Sequence, residues 1–221
     1  MCKGKFHYSA LLEYTRMLVP PRHKELIAME RRARQEGFPI IGPEAGIFCY
    51  QIARLMNAKN IFELGSGFGY STAYFALAVR DNGGGTVHHT EWGKEKSAHA
   101  REYLSAMGLE EYVEFHVGEA VELLKQHEGP FDIVFNDIDK EGYPAALDAI
   151  EPRVRDGGAL IVDNILWDGR VFDAYEKSDS TEGVRRVTAL AANSEKWTMN
   201  VVPIRDGLLF ATKTGKNPFR Y

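Results

Sequence analysis

Apolar and polar positions along the chain fall into two regimes. In the first, up to about residue 57, the spacing is helical. Residues 24–35 run without a breaker after Pro20 and Pro21, and Gly37 stands where a helix C-cap belongs. A second helix is predicted over about 44–56, with Ile47, Phe48, Ile52, Leu55 and Met56 returning to one face. From residue 60 short apolar runs alternate with amphipathic stretches. Strands are predicted at 60–64, 86–90, 113–117, 131–135 and 159–162, with helices near 70–79, 95–107, 119–126 and 143–150. Such alternation builds a parallel sheet covered on both faces. The tail departs from it: 197–204 and 208–212 are β-like runs parted by Arg205-Asp206-Gly207, which calls for a hairpin. The expected fold is therefore α/β, a Rossmann-like, doubly wound, mostly parallel sheet with an antiparallel C-terminal strand and helices on both faces. One domain is expected over 1–221, with 1–57 as a helical extension packed on its core.

Composition narrows the function classes. With 44% hydrophobic and 26% charged residues in 221, the chain can bury a core, and disorder and disulfide scaffolds are excluded. A net charge of −4 disfavours nucleic acid as a partner, since no global basic field attracts phosphates. The two cysteines, Cys2 and Cys49, suit a reducing compartment. The apolar stretch 11–19 is broken by Glu13 and Arg16, so it serves neither as a signal core nor as a membrane span. A cytoplasmic location without a membrane partner is expected.

The first strand runs directly into Glu63-Leu64-Gly65-Ser66-Gly67-Phe68-Gly69-Tyr70-Ser71. Glycines at 65, 67 and 69 permit a tight turn and a close backbone approach to a ligand at the following helix N-terminus. Glu91, 26 residues after Gly65, ends the second strand where a carboxylate can accept both hydroxyls of a ribose. The spacing is not that of a nicotinamide dinucleotide site, and Glu63 would repel a pyrophosphate there. A carboxylate at that point suits the ammonium group of S-adenosylmethionine (SAM), with Ser71 and backbone N–H groups for its carboxylate. Trp92 is either an adenine platform or a packing tryptophan, and Gly118-Glu119-Ala120 forms a further turn at the same sheet edge.

At the ends of the fourth and fifth strands stand Asn136-Asp137-Ile138-Asp139-Lys140 and Asp163-Asn164. Neighbouring parallel strands deliver these to one crevice, so Asp137, Asp163 and Asn164 can converge as a hard oxygen set for Mg²⁺, with Mn²⁺ or Ca²⁺ as alternatives. Lys140 at its mouth is a candidate general base for a phenolic hydroxyl. Histidines are not expected to compete as ligands: His88 and His89 point to opposite faces of a strand, and the other five are scattered.

Residues 62–71, Asp137-Ile138-Asp139-Lys140, the 157–164 strand and Leu166-Trp167-Asp168-Gly169-Arg170-Val171 resemble the cation-dependent, SAM-dependent O-methyltransferases, the family of catechol and caffeoyl-CoA O-methyltransferase. The resemblance spans about 10–213. It implies Asp137, Asp163 and Asn164 as metal ligands and Lys140 as base. It further implies Glu63, Gly65, Tyr70, Ser71, Glu91 and Ala120 as SAM contacts, to which the turn residues Ser66, Gly67, Gly69, Gly118 and Glu119, together with Trp92 and Asp137, are added. Asn164, Lys140 and Trp167 would face the acceptor. Asn136, Thr188 and Arg205 depart from the family pattern, and Arg205 is read either as a solvated turn residue or as a contact to an anionic acceptor.

The implied activity is methyl transfer from SAM to a hydroxyl of a catechol-like aromatic small molecule, by a homodimer. A tRNA hydroxyuridine O-methyltransferase and an NAD-dependent dehydrogenase are the alternatives.

Overall fold

The computed structural model describes residues 8–219. Three helices precede the sheet: α1 (Tyr8–Met17), α2 (Lys24–Glu36) and α3 (Gly42–Leu55). The α2 helix ends as the sequence predicts, on Gly37 in the left-handed conformation (φ 64°), whose N–H donates to the Ala33 carbonyl. Cys49 is buried within α3, and Cys2 lies outside the described residues.

The core then alternates β1 (Asn60–Leu64), α4 (Tyr70–Asp81), β2 (Thr86–Glu91), α5 (Lys94–Ala106), β3 (Val113–Val117), α6 (Ala120–Lys125), β4 (Phe131–Asn136), α7 (Tyr143–Ile150) and β5 (Val154–Val162). It closes with α8 (Asp179–Asn193) and the hairpin β6 (Trp197–Val202) and β7 (Leu208–Lys213). The strands form one sheet in the order β3-β2-β1-β4-β5-β7-β6. β1 to β5 pair in parallel, and β7 alone runs against its neighbours β5 and β6.

Strand alternation divides the core between two faces. Ile61, Ile133, Phe135 and Ile161 join α2, α3 and α4 on one side. Phe62, Leu64, Val134, Leu160 and Val162 join α6, α7 and α8 on the other. Strands buried on both faces must be apolar at almost every position, so the polar residues Glu63, His88, His89 and Asn136 stand out against this background. No described helix is long and apolar enough to cross a membrane.

Candidate active site

The order reversal between β1 and β4 opens a crevice at the C-terminal strand ends, the place where doubly wound sheets hold ligands. The glycine turn sits at its floor. Gly65 has φ 82°, and a Cβ there would lie 2.6 Å from the Asp137 carbonyl oxygen, so only glycine lets the two loops touch. The turn is tied to β2: Ser66 N–H donates to the Thr90 carbonyl at 2.8 Å, and the Thr90 hydroxyl donates to the Glu63 carbonyl at 2.7 Å. Gly69 caps α4 with φ 86°, and the buried Ser71 follows in its first turn.

Glu63 is fully buried, and its Oε1 has no hydrogen-bond partner. Thr72 donates to its other oxygen. Burial pushes this carboxyl up to about 7, against hydrogen bonds from Ser71, Thr72 and Ser66 and with help from Asp137. A buried carboxyl oxygen without a partner beside the turn is what a ligand's cationic group would satisfy. Glu91 ends β2 with Oε1 accepting the Gly93 N–H at 2.9 Å. Trp92 is 69% exposed, so it is not a packing tryptophan and its ring is open to a ligand.

Two of the proposed cofactor contacts have their side chains engaged elsewhere. The Tyr70 hydroxyl donates to Glu30 Oε1 of α2 at 2.8 Å, and Glu30 is itself held by Arg22 at 2.6 Å. The Glu119 carboxylate caps its own helix, accepting from the Val121 N–H at 3.1 Å and the Glu122 N–H at 2.6 Å. Around Tyr70 and over 118–120, a ligand would therefore meet backbone rather than these polar groups.

The strand-end acids meet as the sequence predicts. Asn136 pairs with Val162, which sets Asp137 beside Asp163. Asp163 is 2% exposed with Oδ1 unpartnered. Burial and the Asp137 charge push its carboxyl up to about 7, and Arg205 pulls the other way. Asn164 takes φ 58°, and its Nδ2 donates to Asp206 Oδ2 at 3.1 Å, which fixes the orientation of its amide. Lys140 Nζ donates to Asp137 Oδ1 at 2.8 Å and lies 5.7 Å from the centre of the Trp167 ring. These residues fit a divalent cation: two carboxylates and an amide oxygen, with one buried oxygen lacking any partner.

Arg205 is not a solvated turn residue. Its Nη1 reaches to 3.7 Å from Asp163 Oδ2, and its stem packs where a Gly42 Cβ would stand. With Arg16, Arg22 and Arg34, and with Glu30 and Glu44 that pair with two of them, it lines a cleft of about 550 Å³ beside the N-terminal helices. The Thr188 hydroxyl is spent on the Val184 carbonyl, and Asn136 is buried with Oδ1 unpartnered.

Residues 22–214 match the family model described as O-methyltransferase. The chain belongs to the SAM-dependent O-methyltransferases of the catechol and caffeoyl-CoA type. A catechol O-methyltransferase from Niastella koreensis is 34% identical over 176 residues, 76% of this chain and 79% of that protein. Among solved structures, an O-methyltransferase from Bacillus cereus in complex with SAH superposes with a TM-score of 0.83 at 26% identity, covering 93% of this chain and 97% of that one. One from Streptomyces achromogenes, involved in tomaymycin synthesis and solved with SAM, gives 0.83 at 27%, covering 93% and 96%. Membership in this family removes the dehydrogenase alternative, in keeping with the glycine spacing and the buried Glu63.

Two site residues escaped sequence reasoning. Asp206, which orients Asn164, sits in a hairpin turn where Asp is ordinary, so its type carried no signal. Gly183 lets α8 approach the Lys140 turn, since a Cβ there would lie 2.2 Å from the Lys140 carbonyl oxygen. A glycine in mid-helix at a cost of about 1 kcal/mol was the available clue.

The histidines stay away from the strand-end acids, but they are not all scattered. His88, His116 and His127 are brought together with Glu114, because β2 and β3 pair and α6 returns to them.

Proposed function

We propose that this chain transfers the methyl group of SAM to one hydroxyl of a small aromatic acceptor with two neighbouring hydroxyls, assisted by a divalent cation, Mg²⁺ first. The observation that carries this reading is the buried Asp163 Oδ1 without a partner beside Asp137, with Lys140 Nζ at 2.8 Å from Asp137.

SAM supplies an electrophilic methyl carbon on a sulfonium centre. Glu63 would meet its ammonium, Glu91 its ribose, the exposed Trp92 ring its adenine, and the glycine turn its backbone-facing edge. Asp137, Asp163 and Asn164 would hold the cation, which supplies charge neutralisation and a lowered pKa for oxygens bound to it.

Lys140, as the neutral amine, would take the proton of the acceptor hydroxyl and become the ammonium, and the freed oxygen would displace the thioether from the methyl carbon. Asp137, the Ile138 carbonyl and the Trp167 ring hold the Lys140 Nζ and would stabilise the ammonium so formed, and positioning rather than covalent catalysis would supply most of the rate. Trp167 offers a flat wall for the acceptor ring. Arg205, beside the acid cluster, would meet an acceptor that carries a negative charge.

The test is methyl transfer from SAM to caffeate, protocatechuate and a catechol flavonoid, with Mg²⁺ and with EDTA. Turnover that EDTA removes is expected. Turnover indifferent to EDTA would overturn the cation role. Silence with every catechol despite SAM binding would move the acceptor to tRNA, where affinity should fall with salt.

A further inference from the structure

Four side chains that methyl transfer does not use converge on the sheet away from the crevice. One donor atom each from His88, Glu114, His116 and His127 lies within 4.8 Å of all the others. His88 and Glu114 are register partners on β2 and β3, His116 stands two residues further along β3, and His127 follows the end of α6. The strand-end acids belong to β4 and β5, with β1 between.

The spacing is that of a coordination shell. His88 Nδ1 is 3.2 Å from His116 Nε2 and 3.4 Å from Glu114 Oε2, and His116 Nε2 is 3.9 Å from the same oxygen. A tetrahedron with metal bonds of about 2.0–2.1 Å has donor separations of about 3.3–3.4 Å. Closing on an ion thus needs only small side-chain movements.

The outer hydrogen bonds set the tautomers. Asn60 Nδ2 donates to the Pro130 carbonyl at 3.0 Å, which turns Asn60 Oδ1 toward His88 Nε2 at 3.2 Å. That oxygen only accepts, so Nε2 carries the proton and Nδ1 presents its lone pair to the cluster. His127 Nδ1–H donates to the Leu123 carbonyl at 2.8 Å, which leaves its Nε2 lone pair available. Metal-binding imidazoles are oriented in this way, by a carbonyl on the far nitrogen. The Phe62 ring stacks on His88 with centroids 5.5 Å apart and fixes its plane. Glu114 remains 59% exposed on its side chain, so an ion can reach the cluster from solvent.

We propose that His88, Glu114, His116 and His127 form a second metal site that takes a zinc-class divalent ion and staples β2, β3 and the end of α6 together. Three imidazoles and one carboxylate select zinc over Mg²⁺ or Ca²⁺, which prefer oxygen. Four protein ligands make the site structural rather than catalytic.

The experiment is Zn²⁺ titration of the chelator-stripped full chain in excess Mg²⁺, which competes for the oxygen set, with bound zinc counted by mass spectrometry after desalting. One zinc per chain is expected, with at least about tenfold weaker binding in His116→Ala and in His127→Ala and unchanged binding in Asp163→Ala. Zinc that the histidine variants retain, or that Asp163→Ala loses, would place the ion elsewhere and overturn the site. Should those variants fail to fold, Co²⁺ in the wild-type chain decides. The intense visible absorption of tetrahedral cobalt supports the site, and the weak absorption of octahedral cobalt rejects it.

Discussion

Asp206 holds Asn164 by its amide: Asn164 Nδ2 donates to Asp206 Oδ2 at 3.1 Å, while Asp206 Oδ1 accepts the Asp168 backbone N–H at 2.7 Å. One turn residue of the β6–β7 hairpin thus orients a proposed cation ligand and pins the loop that carries Trp167. Asp206→Ala is expected to weaken Mg²⁺ binding about 10–100-fold and to leave SAM affinity little changed. Asp206→Asn, which keeps one acceptor oxygen, should lose less. Calorimetric titration of both ligands against the variants checks this, and an equal loss for SAM would sink the assignment.

Asp163 ties cation binding to pH. Its carboxyl is held near 7 by burial and by Asp137. A raised carboxyl pKa stabilises the metal-free fold fully below the ordinary carboxyl range, and that contribution is lost as pH rises through about 7. Cation binding must displace the proton, so Mg²⁺ affinity should rise by up to about tenfold per pH unit below 7 and level off above it. Titrations from about pH 6 to about pH 8 read this directly, and a flat profile would contradict it. Asp163→Ala should abolish cation-dependent turnover with SAM binding nearly intact.

Gly183 permits contact between α8 and the Lys140 turn. Gly183→Ala would set a Cβ 2.2 Å from the Lys140 carbonyl oxygen, so the turn or the helix must move. Overpacking of this kind costs about 1–3 kcal/mol. Displacing Lys140 by about 1 Å should lower kcat up to about a hundredfold without a matching change in the KM for SAM. Thermal unfolding and steady-state kinetics separate the two effects.

The Tyr70 hydroxyl supports the fold rather than the reaction. It bonds to Glu30, which is held by Arg22, and it lies 3.3 Å from the Tyr74 hydroxyl. Tyr70→Phe is expected to lose about 1 kcal/mol of stability and to keep kcat within about twofold. A large fall in kcat at unchanged stability would return that hydroxyl to the active site.

Much of this was legible along the chain because it depends on local pattern. Short continuous apolar runs, 3.6-period helices and glycine at positive φ are set by neighbouring residues, and they marked β1 to β5 and the turn at Gly65. A parallel sheet puts all its strand C-termini on one edge. The sequence alone therefore brought Asp137, Asp163, Asn164 and Glu91 to one crevice, although their numbers lie far apart. The late helix α8 shows the limit: Gly183 lowers its local helical signal, and its reason for being there is contact with residue 140.

What tertiary structure alone decided are meetings between residues whose types are individually unremarkable. Asp206 on Asn164, Arg205 toward Asp163, Tyr70 on Glu30 and the convergence of His88, Glu114, His116 and His127 depend on side-chain direction across paired strands and returning loops. No local periodicity encodes such contacts. A histidine in a strand reads the same whether its lone pair meets a second imidazole or only apolar packing, because the partner's position is set by the fold and not by its place in the chain.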